Sequence, residues 1–244
     1  MTEIKNGANS KNWDVFWEKS PDGFNDVMRK STAFVGKKLI DFEILNNSNR
    51  ILDFGCGPGF LIDCIKDNSN FIIGVDISET YINICKNNFK NYNNLCFEVI
   101  KPYDFEKLSE IIQNYKIDSI IILSTLQYYN TEQDVKNLIV SLKKASQHQK
   151  FSCIIADIIP KNHSFISDVK DLIFYAIQKR FFKTLFKFIL YTFNSDYNEY
   201  KKKGLLELDY SFFEKTAAEN NISVTKMEQI TIHSKRYSIC LKFQ

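Results

Sequence analysis

An acid, three alternating glycines and a second acid carry the clearest chemistry in this 244-residue chain. Asp53 closes a short apolar run that begins at Ile51, and Gly55, Gly57 and Gly59 follow at alternate positions. A helical pattern starts at Phe60 and runs through Ile65. The order reads as strand, tight turn, helix, with glycine where the backbone must bend sharply or let a ligand come close. The dinucleotide fingerprint spaces its glycines G-x-G-x-x-G and aims a helix N-terminus at a pyrophosphate. Here the spacing is G-x-G-x-G, and a carboxylate lies two residues before the first glycine. That carboxylate would repel a phosphate and suits a cation. The second acid, Asp76, ends the apolar run that starts at Phe71, 21 residues after Gly55. One carboxylate at a strand end matches two neighbouring ribose hydroxyls. Ser78 stands ready to cap the helix that Glu79 begins.

The stretch D-F-G-C-G-P-G, residues 53–59, resembles motif I of the class I S-adenosylmethionine-dependent methyltransferases, D/E-x-G-x-G-x-G. The resemblance implies a Rossmann-like three-layer α/β sandwich around a mostly parallel seven-stranded sheet, its last strand antiparallel beside strand five. It implies S-adenosyl-L-methionine as cofactor and S-adenosyl-L-homocysteine as product. Asp53 would hold the methionine ammonium end, directly or through water, with Gly55, Cys56, Gly57 and Gly59 packed against the cofactor. Asp76 would take the ribose, with Ile77 beside it. In the family an acidic or polar residue after strand three meets the adenine amino group. The usual Gly-Asp-Ala-like sequence is missing from residues 101–105, so Asp104 is the nearest candidate, with Tyr103 or Phe105 able to flank the ring. Capping the helix over 105–114 is the other role open to Asp104.

Strand four, residues 117–124, is a continuous apolar run of the kind buried on both faces. It leads into Ser124-Thr-Leu-Gln-Tyr-Tyr129, which resembles the family's S-x-x-L-x-Y/H. The resemblance places Ser124 on the cofactor and Tyr128 toward the acceptor. The N/D-P-P-Y/F signature of exocyclic base-amine methylation is absent. The A-D-I-I-P run at 156–160 resembles the D-I-P segment of several small-molecule methyltransferases. An oxygen acceptor would need a general base. His163 is the first candidate, Asp157 and Tyr128 follow, and His233 is less well placed; a structural histidine is the alternative reading of His163. The expected activity is methyl transfer to a small molecule, by O-methylation of a sugar, a phosphorylated or nucleotide-linked intermediate, or a secondary metabolite. A lipid-linked acceptor, a nicotinamide-dependent oxidoreductase and a non-catalytic binding module are the alternatives.

The remaining elements must hold these residues. Apolar residues are 44% and charged residues 25%, an ordinary globular balance. A net charge of +3 does not argue for nucleic acid. The six cysteines form no C-x-x-C and sit mostly in apolar runs, so neither zinc nor disulfides are expected, which fits a reducing cytoplasm. Residues 1–12 are polar, with no apolar leader. Trp13, Phe16 and Trp17 make a helical stripe that either pins an amino-terminal helix or closes as a lid. A helix is expected over 24–45. Thr131 reads as a cap for a helix over 132–146, and Ser211 with Glu214 as a capping box. Residues 1–45 read as a cap, 46–163 and 204–244 as the core, and 164–203 as an insertion. Within the insertion a basic, aromatic helix over 172–193 is a lid, a dimer contact or a membrane contact. The expected partner is a small-molecule acceptor, and the chain is monomer or homodimer.

Overall fold

The computed structural model describes residues 22–41, 45, 49–181 and 204–243. The tryptophan stripe, the cations Lys183 and Lys187 and the lysine run at 201–203 lie outside the described residues. Seven strands form one sheet: β1 (Arg50–Phe54), β2 (Phe71–Asp76), β3 (Leu95–Val99), β4 (Ser119–Leu123), β5 (Phe151–Ile158), β6 (Ser223–Lys226) and β7 (Tyr237–Phe243), in the order β3-β2-β1-β4-β5-β7-β6. The first five are parallel, and β7 runs antiparallel between β5 and β6. The expected sheet is therefore present, last strand included. Strand order reverses between β1 and β4, the place where open α/β sheets bind ligands.

Side-chain alternation explains the three layers. Leu52, Ile120, Ile122 and Ile155 point to one face, where α4 (Phe105–Asn114), α5 (Glu132–Ala145) and α7 (Tyr210–Glu219) cover them. Ile51, Ile72, Ile121 and Ile154 point to the other, beneath α1 (Asp22–Asp41), α2 (Phe60–Ile65) and α3 (Glu79–Asn88). Asp53 shares the parity of Ile51, so its carboxylate is carried to the α1–α3 side. Among the described residues the remaining helix, α6 (Phe165–Lys179), packs Leu172, Tyr175 and Ala176 against Val27 of α1. The Tyr175 hydroxyl donates to the carbonyl of Lys30 at 3.1 Å. No helix among the described residues is long and apolar enough to cross a membrane.

Two expected helices differ in detail. Of the helix expected over 172–193, residues 182–193 lie outside the described residues; the described helix starts at Phe165 and stops at Lys179. Arg180 takes a left-handed φ of 56°, its N–H bonding to Ile177, and Phe181 turns back into the packed interface with its N–H on Ala176. The Ser211–Glu214 capping box does not form. Asp209 occupies the cap of α7 with no side-chain capping bond, and its Oδ1 accepts the Lys161 N–H instead.

The Thr131 cap is present. Its Oγ1 accepts the Asp134 N–H at 3.2 Å, and Asp134 Oδ2 accepts the Thr131 N–H at 3.0 Å. Thr131→Ala is expected to cost about 1 kcal/mol. Thermal denaturation should show the midpoint lowered by about 2–4 °C. An unchanged midpoint would mean that this cap contributes nothing.

Candidate functional site

A cavity of about 250 Å³ opens at the carboxyl ends of β1, β2 and β4. The glycine turn forms its floor, α1 contributes Asn25, Met28 and Thr32, and the segment after β4 contributes Ser124 and Tyr128. The turn is held from below by backbone bonds. The N–H groups of Gly55 and Cys56 both donate to the Val75 carbonyl, at 2.8 and 3.0 Å. The Gly57 N–H donates to Asp76 Oδ2 at 2.8 Å, and the Cys85 thiol donates to the Gly57 carbonyl at 3.4 Å.

The glycines do different work. Gly57, at φ 51°, lines the cavity, and a Cβ built on it meets nothing within 4 Å. Its bare Cα leaves room for a ligand. Gly59 is not among the cavity-lining residues. A Cβ there would lie 2.8 Å from Phe89 and 3.0 Å from Cys85 Sγ, so this glycine lets α2 approach α3. Gly59, expected on the cofactor, thus stands behind the cavity lining at a packing contact.

Asp53 is 2% exposed, and its Oδ2 has no hydrogen-bond partner. Burial, and then the nearby Asp76 charge, push its carboxyl up to about 7. A buried acid left unpaired at a cavity calls for a cationic partner. Burial also raises Asp76, but N–H groups from Ser78, Gly57 and Ile77 oppose the rise. Its two oxygens accept Gly57 and Ser78, the latter at 2.9 Å, which aims the carboxylate along the cavity wall. Ser78 caps α3 by accepting the Tyr81 N–H at 3.3 Å.

Ile77 is 46% exposed yet lines the cavity beside Asp76, an apolar surface suited to one face of a planar ring. Tyr103, at a left-handed φ of 62°, stands on the rim edge-on to Tyr129. Asp104 takes its other role: Oδ1 accepts the Lys107 N–H at 3.0 Å as the cap of α4, and the residue does not line the cavity.

Of the three expected catalytic side chains, only Tyr128 lines the cavity; its hydroxyl accepts from Gln127 Nε2 at 3.0 Å. His163 and Asp157 belong to a buried charge cluster. His163 Nε2 lies 2.8 Å from Asp168 Oδ1, and His233 Nδ1 lies 3.4 Å from the same oxygen. Asp157 Oδ2 accepts Arg236 Nη1 at 2.7 Å, and Asp168 Oδ2 accepts Arg236 Nη2 at 2.6 Å. Burial works against the guanidinium's charge, but Asp157 and then Asp168 more than offset it. Burial lowers His233. His163, beside Asp168, and Asp157, clamped by Arg236, do not line the cavity. The sequence reading missed Arg236 and Asp168. The available signal was Asp157 itself, an acid inside an apolar strand, which demands a counter-ion in a chain with only four arginines.

Residues 45–194 match the family model described as methyltransferase domain. A ubiquinone biosynthesis O-methyltransferase of Coxiella burnetii is 28% identical over 111 residues, 43% of this chain and 44% of that protein. The match thus spans less than half the length of that curated relative. Among solved structures, a SAM-dependent methyltransferase from Anabaena variabilis aligns with a TM-score of 0.60 at 15% identity, covering 95% of this chain and 93% of that one. The magnesium protoporphyrin IX methyltransferase of Synechocystis, solved with bound SAH, aligns at 0.53 and 16% identity over 94% and 91%. At such identities the structural likeness speaks for the fold.

Proposed function

This chain belongs to the methyltransferase-domain family, and from that premise we propose that it transfers a methyl group from S-adenosylmethionine to a small, uncharged acceptor. The observation that carries the reading is the pairing of an unpartnered buried carboxylate, Asp53, with a bare Cα at Gly57 on one cavity wall. Asp53 would hold the ammonium group and Asp76 the ribose hydroxyls. Gly55, Cys56 and Gly57 would supply the backbone floor, while Ile77 and Tyr103 flank the adenine. When bound, the cofactor supplies a sulfonium that is already an activated methyl donor. The chain then has to hold, orient and keep water out, and those effects carry much of such a reaction.

Asn25, Met28, Thr32, Phe60 and Tyr128 would face the acceptor, and all five are neutral. Those five favour an uncharged acceptor over the phosphorylated or nucleotide-linked one expected from sequence, even with Lys101 also among the lining residues. The O-methyltransferase relative supports oxygen as the methylated atom. Residues 46–163 and 204–244 would be the catalytic core, 1–45 a cap and 164–203 an insertion. A lipid-linked acceptor is the second reading, favoured by Ile166, Phe174 and Ile177, which α6 leaves exposed. Sedimentation with anionic liposomes tests it, and a protein left in the supernatant counts against it.

S-adenosylhomocysteine at a hundred times its dissociation constant should stabilise the protein by about 2.7 kcal/mol. The denaturation midpoint should then rise by about 5–10 °C. NAD should leave it unchanged. The reverse pattern would replace the methyltransferase reading with the oxidoreductase one, and methyl transfer to any acceptor would exclude a mere binding module.

A further inference from the structure

Two neighbouring strand tips carry side chains in a backbone conformation that such residues rarely adopt. Ser124, just past β4, has φ 53°, and Asp157, near the end of β5, has φ 66°. Left-handed backbone at a non-glycine residue is strained, and such strain persists where surrounding structure over-determines it. Here the surroundings are explicit. Ser124 Oγ donates to Asp157 Oδ2 at 2.7 Å, and Arg236 Nη1 donates to the same oxygen at 2.7 Å. The pairing of β5 with β7 shifts register between Ile155 and Ile158, which is where Asp157 leaves the ladder. Arg236 also reaches Gln127 Oε1 at 3.3 Å, and Gln127 Nε2 reaches the Tyr128 hydroxyl. The guanidinium is anchored behind by Nε and Nη2 on Asp168 Oδ2, at 3.2 and 2.6 Å.

Only the ends of this network meet the cavity. Ser124 and Tyr128 line it, whereas Asp157, Gln127 and Arg236 do not. We infer that the buried Asp157–Arg236 pair positions Ser124 against the nucleoside held in the cavity, without touching that nucleoside itself. The inference rests on the proposed reading of the cavity as an S-adenosylmethionine site. A guanidinium held at all three of its nitrogens fixes Asp157 Oδ2, that oxygen fixes the serine rotamer, and the serine oxygen then faces the ligand with its proton directed backwards. Gln127 holds Tyr128 in the same way on the acceptor side. Asp157 and Arg236 are thus positioning residues, and the carboxylate expected from sequence to act as a base serves as a clamp.

The test is a double-mutant cycle read by calorimetric titration with S-adenosylhomocysteine. Ser124→Ala should weaken binding by about five- to tenfold, the worth of one hydrogen bond. Asp157→Asn should weaken it similarly, and the double variant no further, because both changes remove the same interaction. Arg236→Lys, which keeps the charge but loses the fork, takes the place of Asp157→Asn if that protein does not fold. Losses that multiply in the double variant would overturn the inference. So would a Ser124→Ala protein that binds like the parent, or an Asp157→Asn protein with a lowered melting midpoint and unchanged affinity. A parent that does not bind overturns the reading of the cavity and this inference with it; a parent that binds, with multiplying losses, overturns the inference alone.

Discussion

Gly57→Val is expected to leave a folded protein that binds S-adenosylhomocysteine at least about a hundredfold more weakly, since blocking close backbone approach removes several contacts at once. A side chain at this position has open space on the protein side, with no atom within 4 Å of its Cβ. The added methyls therefore enter the cavity and leave the core undisturbed. A β-branched residue at φ 51° adds local strain of about 1–2 kcal/mol. That strain lowers the melting midpoint by a few degrees without unfolding the chain. Gly59 provides the contrast, since its missing Cβ would press on Phe89 and Cys85. Gly59→Ala should therefore reduce stability more than Gly57→Val does, while its effect on affinity follows from the displaced turn. Calorimetry and thermal denaturation on both proteins separate the two roles. Parental affinity in folded Gly57→Val would remove the central support for the proposed function.

What could be read from sequence is what local pattern determines. The acid, the alternating glycines and the second acid occupy consecutive strand tips because each closes an apolar run of strand length. The order of runs and helical stretches set the parallel sheet, and the two apolar stretches at the carboxyl end supplied β6 and β7. Side-chain roles that depend on a distant partner were not legible. His163 stands in the right segment for a base, yet Asp168, one helical turn into α6, draws it into the interior. Asp157 meets a guanidinium 79 residues downstream. Asp104 had two local roles open, and the geometry of α4 selects the cap. At Ser211 and Glu214 the capping pattern was present, but Asp209 starts the helix earlier while its carboxylate holds the loop at Lys161. Each of these outcomes turns on long-range packing or on competition between nearby caps, which spacing alone does not rank.

The same long-range burial gives Asp53 a cost in the ligand-free protein and a use in the bound one. Its carboxyl is raised from 3.8 to about 7. The folded state therefore holds a proton between those limits that the unfolded chain has already released. Stability contributed by the neutral acid is present below about pH 4 and is lost as pH rises through 7. Over that span the loss amounts to roughly 4 kcal/mol. Asp53→Asn removes the buried charge but leaves an amide short of a partner, at a cost of about 1–3 kcal/mol. At pH 8 the ligand-free variant should be more stable than the parent by roughly 2 kcal/mol, a rise of about 4–8 °C. Affinity moves the other way. Losing a charged hydrogen bond to the ammonium should weaken S-adenosylhomocysteine by about ten- to a hundredfold at pH 8. In the parent, binding must expel the Asp53 proton below about pH 7, so affinity should fall by up to about tenfold for each pH unit below that point. Asp53→Asn should flatten that dependence. Titrations from pH 5.5 to 8 on both proteins decide the matter: a flat parental profile, or a variant that binds as tightly as the parent at pH 8, would show that the ammonium is held elsewhere.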